Sequence, residues 1–395
     1  MNLPVDMVVA VHDPARPIER AVASLLPDGV ARVTVVCHGI DVAPIEQRLA
    51  RAAGSPGVAS ADAEGQMASA TATHGGRRQG RPDGEISGLV RVVRYDDGIR
   101  SAAGPFNHGL DLATADYVGV LGSDDVVQPG ALAAWVRAAA SGTGTGAATG
   151  AGPAAVLARL IHAGGELIRT PLARPGRTRR LNPVRDRLAY RTAPLGLLRR
   201  ADLDHLGLRF TAGMTTGEDV EFGLRLWTCG WRIDYARRAP AYVIGNDATG
   251  RTTLAARPVG EELAAVTRVV GQEWLTGLPE ATRRAVGIKL VRIHLLGAAY
   301  RRPAAGDWGD GDLAALGAAF DAVLGLAPRI LDPFPRSERR LIAAVRGATS
   351  AGQACAALAA ANAAGRADRL RTARLADIFD RESVLRRYAN YALTR

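Results

Sequence analysis

The N-terminal part of the chain alternates short apolar runs with stretches of helical spacing. Val5–Val11 and Val33–Cys37 are rich in β-branched residues, which predicts two buried strands. Pro17 opens the first predicted helix, between these two runs, and Val42–Ala53 has the spacing of a second helix. This β-α-β-α order predicts a parallel sheet with helices on its faces.

The same alternation continues and then gives way to helices alone. Further strands are predicted at Leu89–Tyr95, Tyr117–Leu121, Val156–Ile161, Ala193–Leu198, Trp231–Tyr235 and Ala241–Ile244. Helices are predicted at Ala102–Ala113, Gly130–Ala140, Glu261–Leu275, Ala281–Tyr300, Leu313–Leu324, Arg339–Val345, Ala351–Ala363 and Val384–Leu393. The chain therefore divides into an α/β domain, residues 1–257, and an all-helical domain, residues 258–395. Residues 54–87 and 141–153 are rich in small residues without periodicity, and we predict flexible insertions there.

Two adjacent carboxylates end the predicted strand at Tyr117–Leu121. In open α/β sheets, ligands bind outside the carboxyl ends of the strands, so Asp124 and Asp125 are placed to hold a divalent cation and, through it, phosphate oxygens. The segment Ser-Asp-Asp-Val-Val-Gln-Pro-Gly is also good turn and N-cap chemistry, so by itself it fits a simple turn as well.

Composition narrows the classes of function. The 395 residues carry 47% hydrophobic and 23% charged residues, which is ordinary for a globular protein of two domains. The net charge of +11 calls for an anionic partner, such as nucleic acid, a membrane surface or a phosphorylated substrate. No interleaved aromatics or DNA-binding motif accompany the charge, so we do not expect nucleic acid.

The cysteines and the hydropathy pattern bear on location. Cys37, Cys229 and Cys355 are scattered without a CxxC pair, which favours a reducing compartment over a disulfide framework or a zinc site. No apolar run is long enough for a membrane span, and the N-terminus lacks a basic leader. We therefore expect a cytoplasmic protein.

Three segments occur in the order found in one enzyme family. They are VVAVHDPARPIERAVASLL, YVGVLGSDDVVQPGAL and GEDVEFGLRLWTCGWRI, and APLGLLRRADLDHLGLRF lies between the last two. Over roughly Val5–Thr253, this order resembles the family 2 glycosyltransferases. The resemblance implies the GT-A fold, a Rossmann-like mixed sheet that binds a nucleotide-diphospho-sugar, here followed by a helical C-terminal domain.

The resemblance also implies roles for the acids. Asp219 matches the family's catalytic base, which takes the proton of the acceptor hydroxyl while that oxygen attacks the anomeric carbon with inversion. Asp124 matches the last aspartate of the DXD motif, and Asp125 is its neighbour, so both are candidate ligands of Mn²⁺ or Mg²⁺. The motif's first aspartate corresponds to Gly122, which is a departure. Asp219 together with Glu218 could also serve only as an acidic helix start.

Donor contacts follow from the same alignment, with a UDP-sugar as the favoured donor. The implied residues are Ala10, His12, Asp13, His38, Asn107 and Ser123. His38 and Cys37 stand where the family has aspartates that contact the base, so a preference for uracil is not carried over. Where the family has a histidine that completes the metal shell, this chain has the run Gly-Asn-Asp, so Asn246 or Asp247 would substitute for it or water would fill the position.

Several alternatives remain open. The arginines Arg174, Arg177, Arg179 and Arg180 lie on the acceptor side of the resembled fold, where they meet either solvent or an anionic glycan or lipid-linked acceptor. Arginines of the helical tail could hold the protein peripherally at an anionic leaflet, although its apolar residues suit helix packing better. The departures at Gly122 and Cys37-His38 also fit a catalytically weakened nucleotide-sugar-binding or scaffold protein.

Overall fold

The structure, a computed structural model, describes residues 4–53, 85–141, 145–147, 150–246 and 257–393. The chain forms two compact units that alternate along the sequence. The first comprises residues 1–168, 195–207 and 235–249, and the second comprises residues 169–194, 208–234 and 250–395.

Fourteen strands are present in the described residues. They are β1 (Val5–Val11), β2 (Arg32–His38), β3 (Glu85–Ser87), β4 (Val90–Tyr95), β5 (Tyr117–Gly122), β6 (Val126–Val127), β7 (Thr145–Ala147), β8 (Gly150–Ala151), β9 (Ala155–Ala158), β10 (Leu160–His162), β11 (Leu167–Ile168), β12 (Gly196–Arg199), β13 (Ile233–Ala236) and β14 (Tyr242–Ile244). The main sheet has the order β13-β9-β12-β5-β1-β2-β4-β3, and a smaller sheet has the order β11-β10-β14-β6.

The centre of the main sheet is parallel and its ends are antiparallel. Strands β4, β2, β1 and β5 run in one direction, while β12 pairs antiparallel with both β5 and β9. Valines fill β1 and β2 on both faces because helices cover the sheet on both sides. These helices are α1 (Ile18–Ala23), α2 (Val42–Ala53), α3 (Ala103–Leu112), α4 (Ala131–Ala140) and α5 (Arg200–His205).

The second unit is mainly helical. Its helices are α6 (Glu218–Thr228), α7 (Val259–Glu262), α8 (Ala264–Val270), α9 (Glu273–Thr276), α10 (Glu280–Lys289), α11 (Leu296–Tyr300), α12 (Asp312–Leu324), α13 (Arg336–Arg346), α14 (Ala351–Ala363), α15 (Arg366–Leu370) and α16 (Val384–Leu393). Helix α6 packs into the same apolar core as α8, α10, α12 and α13, through residues such as Val220, Leu224, Phe320 and Leu341.

The predicted α/β pattern followed by helices is confirmed, and three helices, Val42–Ala53, Ala351–Ala363 and Val384–Leu393, have the predicted bounds. Three elements differ from the prediction. The run Val156–Ile161 forms two strands in different sheets, β9 and β10. The helix predicted at Glu261–Leu275 is broken into α7, α8 and α9. The helix predicted at Ala281–Tyr300 contains a π-helical segment, Leu290–Leu295, between α10 and α11.

The predicted insertions fall only partly within the described residues. Most of residues 54–87 lies outside them, and the last three form β3. Within residues 141–153, the described part contains the β7–β8 pair. The predicted domain boundary at residue 257 stays a prediction. Each of the two compact units is made of three separate segments of the chain, whereas the prediction divides the chain at a single point.

No helix among the described residues is long and apolar enough to cross a bilayer.

Candidate functional site

The parallel register places four strand ends side by side in the first unit. His38 of β2 pairs with Tyr95 of β4, Val11 of β1 pairs with Cys37, and Ala10 pairs with Gly122 of β5. Because all four strands are parallel, the residues that follow them lie along one edge of the sheet. We call the residues His12, Asp13, His38, Asp97 and Asp124 at this edge the strand-end site.

Electrostatic effects on His12 show that the members of this site are close. Burial lowers the pKa of His12 first, and Arg16 lowers it further, while Asp13 and Asp124 act in the opposite direction. His38 is also near enough to lower this pKa. The imidazole of His12 therefore favours its neutral form, in which one ring nitrogen donates and the other accepts.

His38 is paired with an acid that the sequence analysis did not select. The Nε2 atom of His38 lies 2.8 Å from Oδ1 of Asp97, and the backbone N–H of Ile99 donates to the same oxygen over 3.0 Å. Burial raises the pKa of Asp97, but the hydrogen bonds from Ile99 and His38 outweigh it and the pKa is lowered. Asp97 follows β4 as Asp124 follows β5, so the strand-end rule that selected Asp124 could also have found it.

Asp124 faces a cation that the chain itself supplies. Its Oδ1 atom lies 3.0 Å from a guanidinium nitrogen of Arg16, and the guanidinium of Arg20 donates to the Asp124 carbonyl over 3.0 Å. Both arginines belong to the segment that follows β1. The carboxylate is therefore held toward the end of β1, next to the residues that the sequence analysis assigned to the donor.

Asp125 is held by the second sheet. The hydroxyl of Tyr242 donates to its Oδ2 over 2.5 Å, and the N–H of Gly245 donates to its Oδ1 over 2.8 Å. Burial raises the pKa of Tyr242 well above its ordinary value, and Asp125 raises it further, so this hydroxyl keeps its proton. Both oxygens thus accept hydrogen bonds from β14 and the residue after it. We call residues 122–125 the acidic turn, and these bonds suit Asp125 to position it.

Gly122, the departure from the DXD pattern, lies against the Asp125 carboxylate. A Cβ atom at residue 122 would be 2.6 Å from Oδ2 of Asp125 and 3.4 Å from Oδ1 of Asp124. Gly245 also has no room for a side chain, since a Cβ atom added there would be 2.1 Å from the Asp124 carbonyl oxygen. The turn therefore has no room for a third side chain at either position.

The remaining predicted residues occupy varied places. Ala10 is half-buried on β1, Ser123 is buried directly after β5, and Asn107 is half-buried on α3. Asn246 is exposed at the end of the described stretch, and Asp247 lies outside the described residues. The roles assigned to Asn107 and Ser123 stay predictions.

Asp124 can hold a divalent cation only together with oxygen atoms of a ligand. Within the described residues, no three histidine, cysteine or acidic side chains form a group that could bind a metal. Asp125 is engaged by Tyr242 and Gly245, and Asp124 by Arg16. Mg²⁺ commonly uses one or two carboxylates together with substrate phosphates and water, and a site with Asp124 as protein ligand fits that pattern.

The predicted base, Asp219, lies in the second unit at the start of α6. It is half-buried, and burial raises its pKa, while Lys289 acts to lower it. Its neighbour Glu218 has its pKa raised to about 7, first by burial and then by the charge of Asp219. Two neighbouring carboxyl groups with raised pKa values are typical of a site for proton transfer near neutral pH.

The only lysine in the chain, Lys289, is near enough to Asp219 to affect its pKa. Lys289 is fully buried, and burial lowers its pKa to about 8 even though Asp219 favours the charged form. Its Nζ lies 2.7 Å from Nε2 of His294. Burial and Lys289 lower the pKa of His294 well below its ordinary value, so the imidazole is neutral and accepts a hydrogen bond from the ammonium.

The π-helical segment explains how Lys289 and His294 meet. The two residues are five positions apart, which places them on different faces of an α-helix but on one face where the hydrogen bonds run from i to i+5. Helical periodicity predicts a plain helix here, so neither residue could be selected from it. A single lysine within an apolar run, GIKLVRIHLL, was the available signal.

The comparisons with known proteins show a shared fold. No protein-family model and no curated protein matches the chain. Among solved structures, TarS from S. aureus (residues 1–349, in complex with UDP-GlcNAc) matches 90% of this chain and 89% of its own, with a TM-score of 0.60 and 14% identity. The same part of TarS in complex with UDP matches with a TM-score of 0.60 and 13% identity. The chain therefore has the GT-A fold with a helical C-terminal region, as predicted.

A mannosyltransferase, PcManGT from Pyrobaculum calidifontis in complex with GDP-Man and Mn2+, aligns with 96% of this chain at 15% identity. Its TM-score is only 0.44, which is too low to show a shared fold.

Restoring the missing aspartate should damage the acidic turn. We expect Gly122→Asp to displace the Asp125 carboxylate from Tyr242, because overpacking a filled site costs roughly 1–3 kcal/mol. Thermal unfolding should show a Tm lower by several degrees, whereas Gly88→Asp, at an open exposed glycine, should leave the Tm near that of wild type. A Gly122→Asp protein as stable as wild type would show that Asp125 does not close this position.

The buried lysine should make stability depend on pH. In the unfolded chain Lys289 has its ordinary pKa of 10.5, and in the folded protein it is about 8. Between these values the unfolded state binds more protons, so the stability of the wild type rises with pH in this window, by about 2–3 kcal/mol. Lys289→Met lacks this gain. Urea unfolding of both proteins at pH 7 and pH 10 tests it, and an equal pH dependence in both would exclude a lowered lysine pKa.

Proposed function

We propose that the chain is an inverting, metal-dependent glycosyltransferase of family 2, which transfers a sugar from a nucleotide-diphospho-sugar to a hydroxyl of a cell-surface glycan or a lipid-linked acceptor. A UDP-sugar is the favoured donor and the cytoplasm the proposed location. The observation that carries the proposal is the strand-end site, where four parallel strands bring His12, His38 with Asp97, and Asp124 to one edge of the sheet.

The donor is assigned to the strand-end site. TarS, whose fold this chain shares, has been crystallised with UDP-GlcNAc and with UDP. In our proposal, the His38–Asp97 pair contacts the nucleotide base, since together they offer a hydrogen-bond donor and an acceptor. Ala10, His12 and Asp13 line the nucleotide, and Asn107 and Ser123 are further proposed contacts.

The diphosphate is assigned to the acidic turn. A divalent cation there would stabilise the negative charge that grows on the departing diphosphate, and Asp124 would hold it. Asp125 is proposed to act through position rather than as a ligand, because its two oxygens accept hydrogen bonds from Tyr242 and Gly245. Arg16, 3.0 Å from Asp124, adds a fixed positive charge at the same place.

Asp219 is assigned the proton transfer. As the acceptor oxygen forms its bond to the anomeric carbon, the bond from that carbon to the diphosphate oxygen breaks, and the hydroxyl proton passes to the Asp219 carboxylate. A base must be ionised and yet basic enough to take the proton. Burial raises the pKa of Asp219, and the positive charge of Lys289 limits that rise, so the carboxylate keeps both properties.

Some of the arginines on the proposed acceptor side already have partners within the protein. Arg174 makes a two-point ion pair with Asp186, with N–O distances of 2.8 and 2.7 Å. The backbone N–H of Arg180 donates to Asp234 over 2.9 Å. An anionic acceptor stays a proposal that rests on Arg177 and on Arg180, which uses its backbone N–H and not its guanidinium in the bond to Asp234, together with the overall positive charge.

A second candidate is a catalytically weakened protein that binds the nucleotide sugar without turnover. Two observations favour it: the turn has no room for a carboxylate at Gly122, and the side chain of Asp124 is already paired with Arg16. In such a protein Arg16 would take the place of the metal beside the diphosphate.

Metal-dependent nucleotide binding separates the two candidates. We expect calorimetry to show tighter binding of UDP with Mn²⁺ than without it, and Asp124→Asn to lower the Mn²⁺-dependent affinity at least about tenfold. Asp116→Asn, at an exposed position just before the opposite end of β5, is the matched control and should bind as wild type does. GDP and TDP give the base preference. If UDP binds equally well with and without Mn²⁺, and equally well to Asp124→Asn, the result would support the weakened protein. If no nucleotide binds at all, both candidate functions are overturned.

Removal of the proposed base should stop turnover and spare donor binding. We expect Asp219→Asn to lower the release of UDP from UDP-sugars, in the presence of candidate acceptors, by about 10²–10⁴-fold with an unchanged donor affinity. Glu221→Gln, on the same turn of α6 and paired with Arg268, is the control and should stay active. Full activity of Asp219→Asn would remove the catalytic assignment and leave Glu218 as the next carboxylate to test.

A further inference from the structure

The last helix of the second unit is turned with its apolar face outward. Leu385, Tyr388 and Leu393 of α16 are 40%, 62% and 70% exposed, and Ala389 and Ala392 between them are exposed as well. Their spacing of i, i+3, i+4, i+7 and i+8 is the pattern that ordinarily faces a core. In this helix the pattern faces away from the protein.

The polar face of α16 is the one that packs on the protein. Asn390 is buried and donates to the carbonyls of Leu172 and Ala173 over 3.0 and 3.2 Å. The guanidinium of Arg387 lies over the ring of Tyr190, 4.6 Å from its centroid. Because these contacts fix the rotation of the helix about its axis, the exposure of the apolar face is built into the fold.

The segment just before α16 carries two further exposed apolar side chains. Leu375 and Phe379, which bound a short 3₁₀ helix, are 66% and 76% exposed. Five of the eight large exposed hydrophobic side chains in the described residues therefore lie between residues 375 and 393. We call Leu375, Phe379, Leu385, Tyr388 and Leu393 the C-terminal apolar face. A concentration of this kind marks an interaction surface.

Arginine-lined cavities flank this face on two sides. One, of about 150 Å³, is lined by Arg174, Arg187, Arg381 and Arg386, and also by Leu393 of the apolar face. The other, of about 490 Å³, is lined by Arg366 and Arg369 together with Tyr388. No acidic side chain among the described residues lines the smaller cavity, although Arg174 pairs with Asp186 and Arg187 with Glu382 beside it, so the lining itself is positively charged.

The positive charges in the smaller cavity are close enough to affect one another. Burial lowers the pKa of Arg381 first, and the neighbouring arginines then lower it further; they are Arg187, Arg174, Arg185 and Arg386. Such crowding of like charge is relieved by an anion. Guanidinium groups are well suited to phosphate oxygens, which they bind in a two-point geometry.

We propose that the C-terminal apolar face docks on an anionic phospholipid surface, with its large side chains in the interfacial region and the flanking arginines on lipid phosphates. An apolar stripe bordered by basic residues is the composition of interfacial helices, and tyrosine is enriched at the headgroup level. The combination supplies two attractions, apolar burial and charge, which stable peripheral binding requires.

Charge distinguishes this partner from a second copy of the chain. A symmetric contact would bring the same patch of each copy together, so Arg381 and Arg386 of one copy would approach those of the other. A nucleic acid would satisfy the arginines but would leave Phe379 and Leu393 in water. An anionic bilayer satisfies both sets of side chains. This inference does not depend on glycosyl transfer.

Co-sedimentation of the full chain with vesicles tests the proposal. We expect binding to phosphatidylcholine vesicles that contain phosphatidylglycerol, no binding to phosphatidylcholine alone, and weaker binding as salt is raised. Arg381→Gln with Arg386→Gln should lower the partition coefficient about thirtyfold, at about fivefold per charge. Tyr388→Ser with Leu393→Ser should lower it at least about tenfold.

The control removes one exposed aromatic and one exposed charge elsewhere in the same unit. Tyr300→Ser with Arg346→Gln should bind vesicles as wild type does, because neither residue belongs to the face or its cavities. All substituted side chains except Arg381, which is half-buried, are exposed, and Tm measurements on each variant confirm that it is folded.

The proposal is overturned if wild type does not sediment with the anionic vesicles, or if both double variants sediment with them as well as wild type does. It is also overturned if wild type self-associates without lipid and Leu393→Ser abolishes that association, since a second copy would then cover the face.

Discussion

The acidic turn of the first unit depends on one carboxylate, that of Asp125, whose two oxygens both accept hydrogen bonds. Asp125 accepts a hydrogen bond from the Tyr242 hydroxyl and one from the Gly245 N–H, and so it links the end of β5 in the main sheet to β14 in the smaller sheet. Asp125 is half-buried, and a carboxylate withdrawn from water needs such donors in its place. With Asp125 fixed, the direction of the chain at Asp124 is fixed too, and the latter carboxylate is directed to Arg16. The departure from the DXD pattern follows from the same constraint, because the space beside Gly122 is filled by Asp125.

The second unit has a different constraint, the positive charge of Lys289, whose burial costs free energy. Moving the Lys289 ammonium out of water lowers its pKa to about 8, and the charge of Asp219 and the neutral ring of His294 compensate in part. An apolar residue at this place would pack with less penalty, since burial of a charge is seldom the most stable choice. The Lys289 charge instead lowers the pKa of a half-buried acid at a helix start, Asp219, against the rise that burial causes. The π-helical turn, itself less favourable than a regular α-helix, serves this contact, and local irregularity of this type is common at functional sites.

Much of the fold and part of the candidate site could be predicted from the sequence. The strand ends at His12, His38 and Asp124 were predictable because hydrophobic runs locate strands, and parallel strands align their ends. Asp97 lies two residues after β4, where the same rule could have selected it, but its pairing with His38 depends on the register between β2 and β4 across a long insertion. Lys289 and His294 were missed because a π-helical turn leaves no mark in helical periodicity. The roles of Asp124 and Asp219 rest on the family resemblance, as geometry alone shows where an acid lies and what it contacts.

Helix α16 shows why periodicity predicts a helix but not the side that packs. Its spacing gave the correct bounds, Val384–Leu393, and favoured an apolar face turned to the core. The fold reverses that orientation because Asn390 and Arg387 have specific partners. Asn390 donates to the carbonyls of Leu172 and Ala173, and Arg387 lies over the ring of Tyr190. Hydrogen bonds made by a buried amide are directional, whereas apolar contact is not, so the amide sets the rotation of the helix. The apolar side chains are then left at the surface among arginines. The net charge of the chain indicates an anionic partner only in general terms, whereas these arginines indicate where on the surface such a partner would bind.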